Sequence, residues 1–238
     1  MPSALRLLHL VGIFCLGLML WSGLLIYWAH DPYRITVFGY EVFHFFPKGF
    51  YQFFGAEFKL AQGMGWHFAI QWLFMANGLL YVGWLALSGH WRDLAPTRLR
   101  VFADAWLVTL HDLGLRKTAP AQQGRYNAAQ RLAYASVPLL GAAASLSGWA
   151  MYKPVQLGWL TGLFGSYENA RLVHFATALA FTGFVVIHVA QVLRQALLTG
   201  WAHLGAMFLG TPDPATPPAE GESLPPTSAP EADVAPAA

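Results

Sequence analysis

Charged residues and cysteines are scarce in this sequence, and each scarcity excludes a class of protein. Lys, Arg, Asp and Glu make up only 11% of the 238 residues, whereas soluble domains contain about 25%. A soluble enzyme and a disordered chain are therefore excluded as the main interpretation. The single cysteine, Cys15, cannot form an internal disulfide, a zinc site or an iron–sulfur site by itself. It also excludes covalently attached haem, which needs the motif C-x-x-C-H.

Hydrophobic residues make up 56% of the chain and are concentrated in four windows of low charge. Each window reaches about 20 residues, the length that an α-helix needs to cross a hydrocarbon core of about 30 Å. We expect membrane spans at 7–29, 64–89, 131–152 and 171–197. The first window is longer than the roughly 7–15-residue core of a signal peptide and lacks a clear cleavage site, so we expect it to be a retained helix.

The four windows predict the fold class and the domain organisation. We expect an all-α fold, an integral membrane four-helix bundle with interfacial helices, over residues 1–210. The helical spacing of Leu99, Phe102 and Trp106 indicates one such interfacial helix between the second and third spans. Residues 211–238 contain eight prolines and cannot form a core. They predict a disordered C-terminal tail.

The basic residues predict the orientation in the membrane. The connection 92–131 contains seven Lys and Arg residues against three Asp residues, whereas the connection 31–59 is balanced in charge. Connections rich in Lys and Arg stay in the cytoplasm. We therefore expect a bacterial inner-membrane protein with both termini in the cytoplasm. The formal net charge is only +2 and the basic residues are not interleaved with aromatic ones, so nucleic-acid binding has no support.

The connection 31–59, on the predicted outer side, is rich in aromatic residues. Aromatic rings favour the headgroup region of a bilayer, so we expect this loop to fold back onto the membrane surface. Two interpretations are equally open: a docking surface for an external partner, and a membrane anchor.

Four histidines lie within or at the ends of the predicted spans: His9, His67, His174 and His188. An ionisable or metal-binding side chain inside a membrane is costly, and its default interpretation is functional. His67 and His174 are at the predicted outer ends of the second and fourth spans, and His9 is at the inner end of the first. His188 follows His174 by 14 residues, which is about 21 Å along the same helix and on nearly the same face.

Matching by depth pairs His67 with His174, the outer pair, and His9 with His188, the inner pair. Each pair comes from two helices, as cofactor sites in helix bundles do. Iron with two imidazole ligands forms a six-coordinate haem suited to electron transfer. We therefore expect these four histidines to be the metal ligands of two haem b groups stacked across the bilayer. A haem-free scaffold or transporter with a histidine proton relay stays open, although no predicted span contains Asp or Glu.

Five motifs connect these histidines to a known family. They are Arg6-x-x-His9; Trp66-His67 with Asn77-Gly78-Leu79-Leu80-Tyr81; Ser88-Gly89-His90-Trp91-Arg92; Asn127-x-x-Gln130-Arg131-Leu132; and Arg171-x-x-His174 with His188. Over roughly residues 5–200 the chain resembles the bacterial di-haem cytochrome b family. That family holds the membrane subunits of nickel–iron hydrogenases, formate dehydrogenases and thiosulfate reductases. The 14-residue histidine pair is the most specific element of the resemblance.

The resemblance implies a respiratory-chain subunit that passes electrons between membrane quinone and an extracytoplasmic oxidoreductase or its electron carrier. Within the family the chain is most similar to cytochromes of the thiosulfate-reductase type, which often accompany a molybdenum-cofactor oxidoreductase. The resemblance also implies a quinone site beside the inner haem, where Asn127, Gln130 and Arg131 match. Capping and anchoring of the third helix would explain the same three residues equally well.

Two arginines are candidate partners of haem. Arg6 and Arg171 each precede a proposed ligand by three residues and therefore lie on the face of that ligand. A haem propionate is the natural partner for such a guanidinium; snorkelling to the membrane surface is the alternative. We expect an electron-transfer subunit of a membrane oxidoreductase, with no catalytic residue apart from its quinone site. A stand-alone enzyme that oxidises superoxide at the outer haem and reduces quinone is a further possibility.

Overall fold

The computed structural model describes residues 3–30, 32–96, 98–118, 120–122 and 126–201, together with 205 and 208. The predicted disordered tail, 211–238, lies outside these residues. In chain order the elements are α1 (Ser3–Tyr27), β1 (Arg34–Val37), β2 (Tyr40–His44), α2 (Lys48–Phe53), α3 (Leu60–Ser88), α4 (Trp91–Leu94), α5 (Arg100–Asp112), α6 (Ala128–Tyr152), α7 (Gly158–Leu163) and α8 (Tyr167–Thr199).

Four long helices, α1, α3, α6 and α8, form at the four predicted windows. Among the described helices, α1, α3 and α8 are long and apolar enough to cross a membrane, by length and composition. Helix α6 is 25 residues long but less apolar, and it contains Pro138. The prediction of an all-α membrane bundle is thereby confirmed, and a span by α6 stays a prediction.

The outward faces of the long helices are apolar. Leu79 is 73% exposed and Leu87 is 92% exposed on α3, and Leu139 is 71% exposed on α6. Exposed apolar surface on this scale marks contact with a membrane or another protein rather than with water. These side chains therefore suit the hydrocarbon core of a bilayer.

Small residues allow a close approach of the helices in each half of the bundle, α1 with α3 and α6 with α8. A Cβ atom added to Gly63 of α3 would lie 2.7 Å from Cβ of Leu25 on α1. In the other half, Ala150 of α6 and Ala170 of α8 are fully buried in one cluster. Small residues at these positions let the two backbones approach closely, which is the packing mode of membrane helices.

The connections between the long helices contain one element that was predicted, the helix α5, and one that was not. Helix α5 buries Val101, Ala105 and Val108, while Phe102 and Trp106 are 56% and 62% exposed. The sequence did not predict the antiparallel hairpin β1–β2 in the connection 31–59. Its two-residue turn, Phe38-Gly39, has φ values of 51° and 83°, and positive φ at both central positions is typical of tight hairpins.

Candidate cofactor sites

The outer pair, His67 on α3 and His174 on α8, faces inward from two helices. Their ring centres are 6.1 Å apart, with 70° between the ring planes. A metal ion bound by two imidazole nitrogens at about 2.0–2.1 Å on opposite sides places the ring centres about 6 Å apart. The observed separation therefore fits one metal ion between the two rings.

A serine from the neighbouring helix contacts Nδ1 of each outer histidine. Ser22 Oγ lies 3.0 Å from Nδ1 of His67, and Ser147 Oγ lies 3.1 Å from Nδ1 of His174. The Ser22 hydroxyl donates to the carbonyl of Leu18, 2.6 Å away, and that of Ser147 donates to a carbonyl one turn earlier in α6. Each hydroxyl can therefore accept a hydrogen bond from Nδ1–H, and this tautomer leaves Nε2 free to bind a metal.

A cavity of about 1210 Å³ surrounds the outer pair. It exceeds the 300–1,000 Å³ or so that is usual for small-ligand pockets, so it offers room for a macrocycle. Gly148 is next to the pair, and a Cβ atom there would lie 3.2 Å from Cε1 of His174. The cavity is lined mostly by apolar side chains of α1, α3, α6 and α8, among them Leu16, Met19, Leu24, Phe68, Met75, Trp149 and Leu179.

Aromatic residues of the connection 31–59 pack over the outer end of this cavity. Tyr33 and Phe45 contact the ring of Phe175 at centre-to-centre distances of 4.6 Å and 5.3 Å, and Tyr27 stacks on it at 4.9 Å. Other rings of the same loop, such as Phe38 at 96%, are exposed. Part of the aromatic loop is therefore a roof of the outer cavity, a role that the sequence did not predict.

Arg171 lines the same cavity and has a free donor. Its Nη2 atom lies 2.6 Å from Oε2 of Glu168, and its guanidinium lies over the ring of Tyr33 at 5.9 Å. Its Nε is buried with no hydrogen-bond partner among the described residues. A carboxylate inside the cavity would satisfy this donor. Arg6 is half-buried on α1, one turn before His9.

The inner pair has the same spacing as the outer pair. The ring centres of His9 on α1 and His188 on α8 are 6.1 Å apart, with 74° between the planes. The ring of His188 stacks on Phe184 at 5.6 Å. Nδ1 of His9 is buried without a hydrogen-bond partner in the described part of the chain, so no serine orients this ring as Ser22 orients His67.

The three residues predicted to contact quinone also cap α6. Oδ1 of Asn127 accepts from the backbone N–H of Gln130 at 2.8 Å, and Oε1 of Gln130 accepts from that of Asn127 at 3.1 Å. This reciprocal pair is a capping box. Arg131 donates to the carbonyl of Ala95. Asn127 and Arg131, but not Gln130, line a pocket of about 300 Å³ beside α5.

The two serines were not predicted from the sequence. Their signal is a Ser-Gly dipeptide that occurs at the same level of α1 and α6, at 22–23 and 147–148. The described residues contain no group of three or more His, Cys, Asp or Glu that could hold a metal ion. A pair of histidines suits a haem, because the protein contributes at most two ligands to its iron.

A membrane helix bundle with inward-facing histidine pairs has the architecture of a membrane cytochrome. The family model of prokaryotic cytochrome b561 matches residues 1–210, and the chain belongs to this family. It is 34% identical over 196 residues to a protein of Azospira oryzae (80% of this chain, 88% of that protein) that is provisionally named protein-methionine-sulfoxide reductase subunit YedZ1. No solved structure gives a significant match.

Family membership confirms the prediction of a membrane cytochrome. The chain is a prokaryotic membrane cytochrome of the b type, an electron-transfer subunit, and the family implies haem b. The haem-free scaffold or transporter is therefore set aside.

Proposed function

We propose that this cytochrome passes electrons between membrane quinone and an extracytoplasmic oxidoreductase through two bis-histidine haems. His67 and His174 would hold the outer haem, and His9 and His188 the inner one. The observation that supports this proposal most strongly is the shared spacing, because two histidine pairs on different helices both have ring centres 6.1 Å apart. Haem b supplies reversible one-electron transfer when bound.

At the outer site the residues around the ligands have separate roles. Ser22 and Ser147 hold the imidazole tautomers that expose Nε2, and partners of this kind also raise the basicity of a ligating histidine. The buried Nε of Arg171 would donate to a propionate. The apolar lining and the aromatic roof keep water away from the site, which lowers the local dielectric.

At the inner site Arg6 would have the role that Arg171 has at the outer one. It is one turn from His9 and on the same face of α1. His174 and His188 belong to one continuous helix, α8. Because a helix rises about 1.5 Å per residue, α8 fixes the two sites at different depths about 21 Å apart.

The quinone site is proposed at the polar pocket beside the start of α6. Asn127 and Arg131 line it, and the pocket also contains Arg98, Arg100 and Asp104. Amide and guanidinium donors suit the carbonyl oxygens of a quinone. Gln130 would act indirectly, through the capping box that positions Asn127.

The proposed partner is an oxidoreductase outside the cytoplasm, of the molybdenum-cofactor type. Support comes from the resemblance to thiosulfate-reductase-type cytochromes and from the relative whose name places it in a protein-methionine-sulfoxide reductase. The basic connection 92–131 supports an orientation with α5 and both termini in the cytoplasm. The hairpin β1–β2 would then face the partner's compartment.

Reduction by quinol tests the proposal when single histidines are removed. Protein in lipid nanodiscs is mixed with a quinol analogue, and the haem absorbance is followed by stopped flow. We expect His67→Ala to keep quinol reduction of the inner haem, and His188→Ala to prevent reduction of the remaining outer haem. His111→Ala, which changes a histidine beside Asp112 on α5, is the matched control. Reduction of His188→Ala at the wild-type rate would contradict the proposed route.

A further inference from the structure

The two halves of the bundle, α1 with α3 and α6 with α8, repeat one structural unit. Helix α1 aligns with α6, and α3 with α8, each at a constant offset and without gaps. The identical positions in the first alignment are Ala4/Ala129, Arg6/Arg131, Leu7/Leu132, Ser22/Ser147, Gly23/Gly148 and Tyr27/Tyr152. Those in the second are His67/His174, Phe68/Phe175, Ala69/Ala176, Phe74/Phe181 and Val82/Val189.

Equivalent residues make equivalent contacts in the structure. The contact of Ser22 with His67 at 3.0 Å has its counterpart in Ser147 with His174 at 3.1 Å. Aromatic contacts between the halves repeat as well. The rings of Tyr27 and Phe175 are 4.9 Å apart, and those of their counterparts, Tyr152 and Phe68, are 4.8 Å apart.

Two pairs of identical residues face each other across the centre of the bundle. The rings of His67 and His174 are 6.1 Å apart, and those of Phe74 and Phe181, two turns further along, are 6.3 Å apart. When a residue faces its own counterpart in the other half, the pair lies on the two-fold axis that relates the two halves. The halves are therefore parallel repeats about an axis along the membrane normal, a relation that is known in membrane proteins.

The inner pair breaks this symmetry. Under the same two alignments, His9 on α1 corresponds to Tyr134 on α6, and His188 on α8 corresponds to Tyr81 on α3. Tyr81 on α3 and Tyr134 on α6 are both partly buried. The ring of Tyr134 also contacts that of Tyr126 edge to face at 5.4 Å. The symmetry-related position of the inner pair is thus filled by tyrosines.

We propose that Tyr81 and Tyr134 occupy a second inner cofactor position and close it to haem. A tyrosine binds haem iron through a charged oxygen, as in catalase, and a charge inside a membrane is costly. The outer haem site, which lies on the axis, then has one inner haem site next to it instead of two. The tyrosines are thus specificity-determining residues that leave electrons a single inner exit. This inference rests on the proposed function, in which the histidine pairs hold haem.

The test restores the missing ligands. Tyr81→His/Tyr134→His is purified beside the wild type and the matched control Tyr81→Phe/Tyr134→Phe, which removes the hydroxyls and adds no ligand. Haem per chain is measured by pyridine haemochrome and low-spin signals by electron paramagnetic resonance. We expect a rise from two to three haems in the histidine variant and two in the control. A folded histidine variant with the wild-type haem count, or a wild type with three haems, would overturn the proposal.

A reciprocal variant decides the case in which the histidine variant does not fold. His9→Tyr/His188→Tyr gives the inner site the residues of its counterpart, and we expect a folded protein with one haem fewer than the wild type. Loss of folding, or an unchanged haem count, would overturn the inference. A wild type without any haem would instead contradict the proposed function, so the two failures are distinguishable.

Discussion

Ser22 Oγ lies 3.0 Å from Nδ1 of His67, although the two residues belong to different helices. Ser147 and His174 repeat this relation at 3.1 Å. His174 has a second acceptor, the carbonyl of Ala144 at 3.0 Å. Contacts with the neighbouring helix therefore set the ring orientation of both outer histidines.

Removing such a hydroxyl weakens the outer site. We expect Ser22→Ala to lower haem affinity at the outer site by about 10–100-fold, because loss of an outer-shell partner of a metal-binding histidine typically has this effect. We also expect a higher reduction potential of the outer haem, since a less basic imidazole stabilises the oxidised iron less. Haem titration and spectroelectrochemistry measure the two effects. Ser136→Ala, which removes a hydroxyl that donates to the carbonyl of Ala133 in its own helix, should leave both unchanged.

Clearance beside the outer pair is needed as well. A Cβ atom at Gly148 would lie 3.2 Å from Cε1 of His174, whereas one at Gly141 on the same helix meets nothing within 4 Å. We expect Gly148→Ala to displace the imidazole and lower the haem content, and Gly141→Ala to keep it while raising helix stability by up to about 1 kcal/mol. The absorbance ratio of haem to protein in the purified variants gives the result. Equal ratios in the two variants would show that the ring is not constrained there.

The charge of Arg171 should tune the outer haem. A positive guanidinium near the iron disfavours the oxidised state, so we expect Arg171→Gln to lower the potential of the outer haem and leave the inner one unchanged. Arg194→Gln is the control, because Arg194 pairs with Asp112 of α5 at 3.7 Å. Potentiometric titration resolves the two haems. A potential that stays constant in Arg171→Gln would indicate that this arginine only anchors the helix.

Capping and quinone binding can be separated at Asn127. Asn127→Asp keeps a good N-cap, whereas Asn127→Ala costs about 0.5–2 kcal/mol of stability. Because a carboxylate cannot donate to a quinone oxygen, we expect Asn127→Asp to slow quinol reduction at unchanged thermal stability. Stopped-flow reduction and thermal unfolding in detergent check the two expectations. Wild-type reduction by Asn127→Asp would leave capping as the role of this residue.

Much of the architecture could be predicted because membranes constrain sequences strongly. Windows of low charge predicted the four long helices, and the helical repeat between His174 and His188 predicted which histidines would share a level. The structure brings together the same two pairs that depth matching gave. The depth of a residue in the membrane and its face on a helix both follow from its position in the chain. They can therefore be predicted without knowing the tertiary packing.

The rest depends on contacts between helices that no local pattern encodes. Ser22 and His67 are far apart in the chain, and a serine inside a membrane helix usually bonds only to its own backbone. The aromatic loop contains exposed rings such as Phe38 as well as rings of the roof such as Tyr33. The two groups look alike in the sequence, and packing on Phe175 distinguishes them in the structure. The repeat of the two halves could not be predicted either, because its few identities become recognisable only when equivalent contacts are compared.

The most direct test of the account is the number of haems per chain in the wild type and in variants of each pair. Pyridine haemochrome analysis of purified protein should give about two b-type haems for the wild type and for His111→Ala. It should give about one haem for His67→Ala and one for His9→Ala. A colourless wild type from cells supplied with haem, or two haems retained in both pair variants, would contradict the assignment of the histidine pairs as haem ligands.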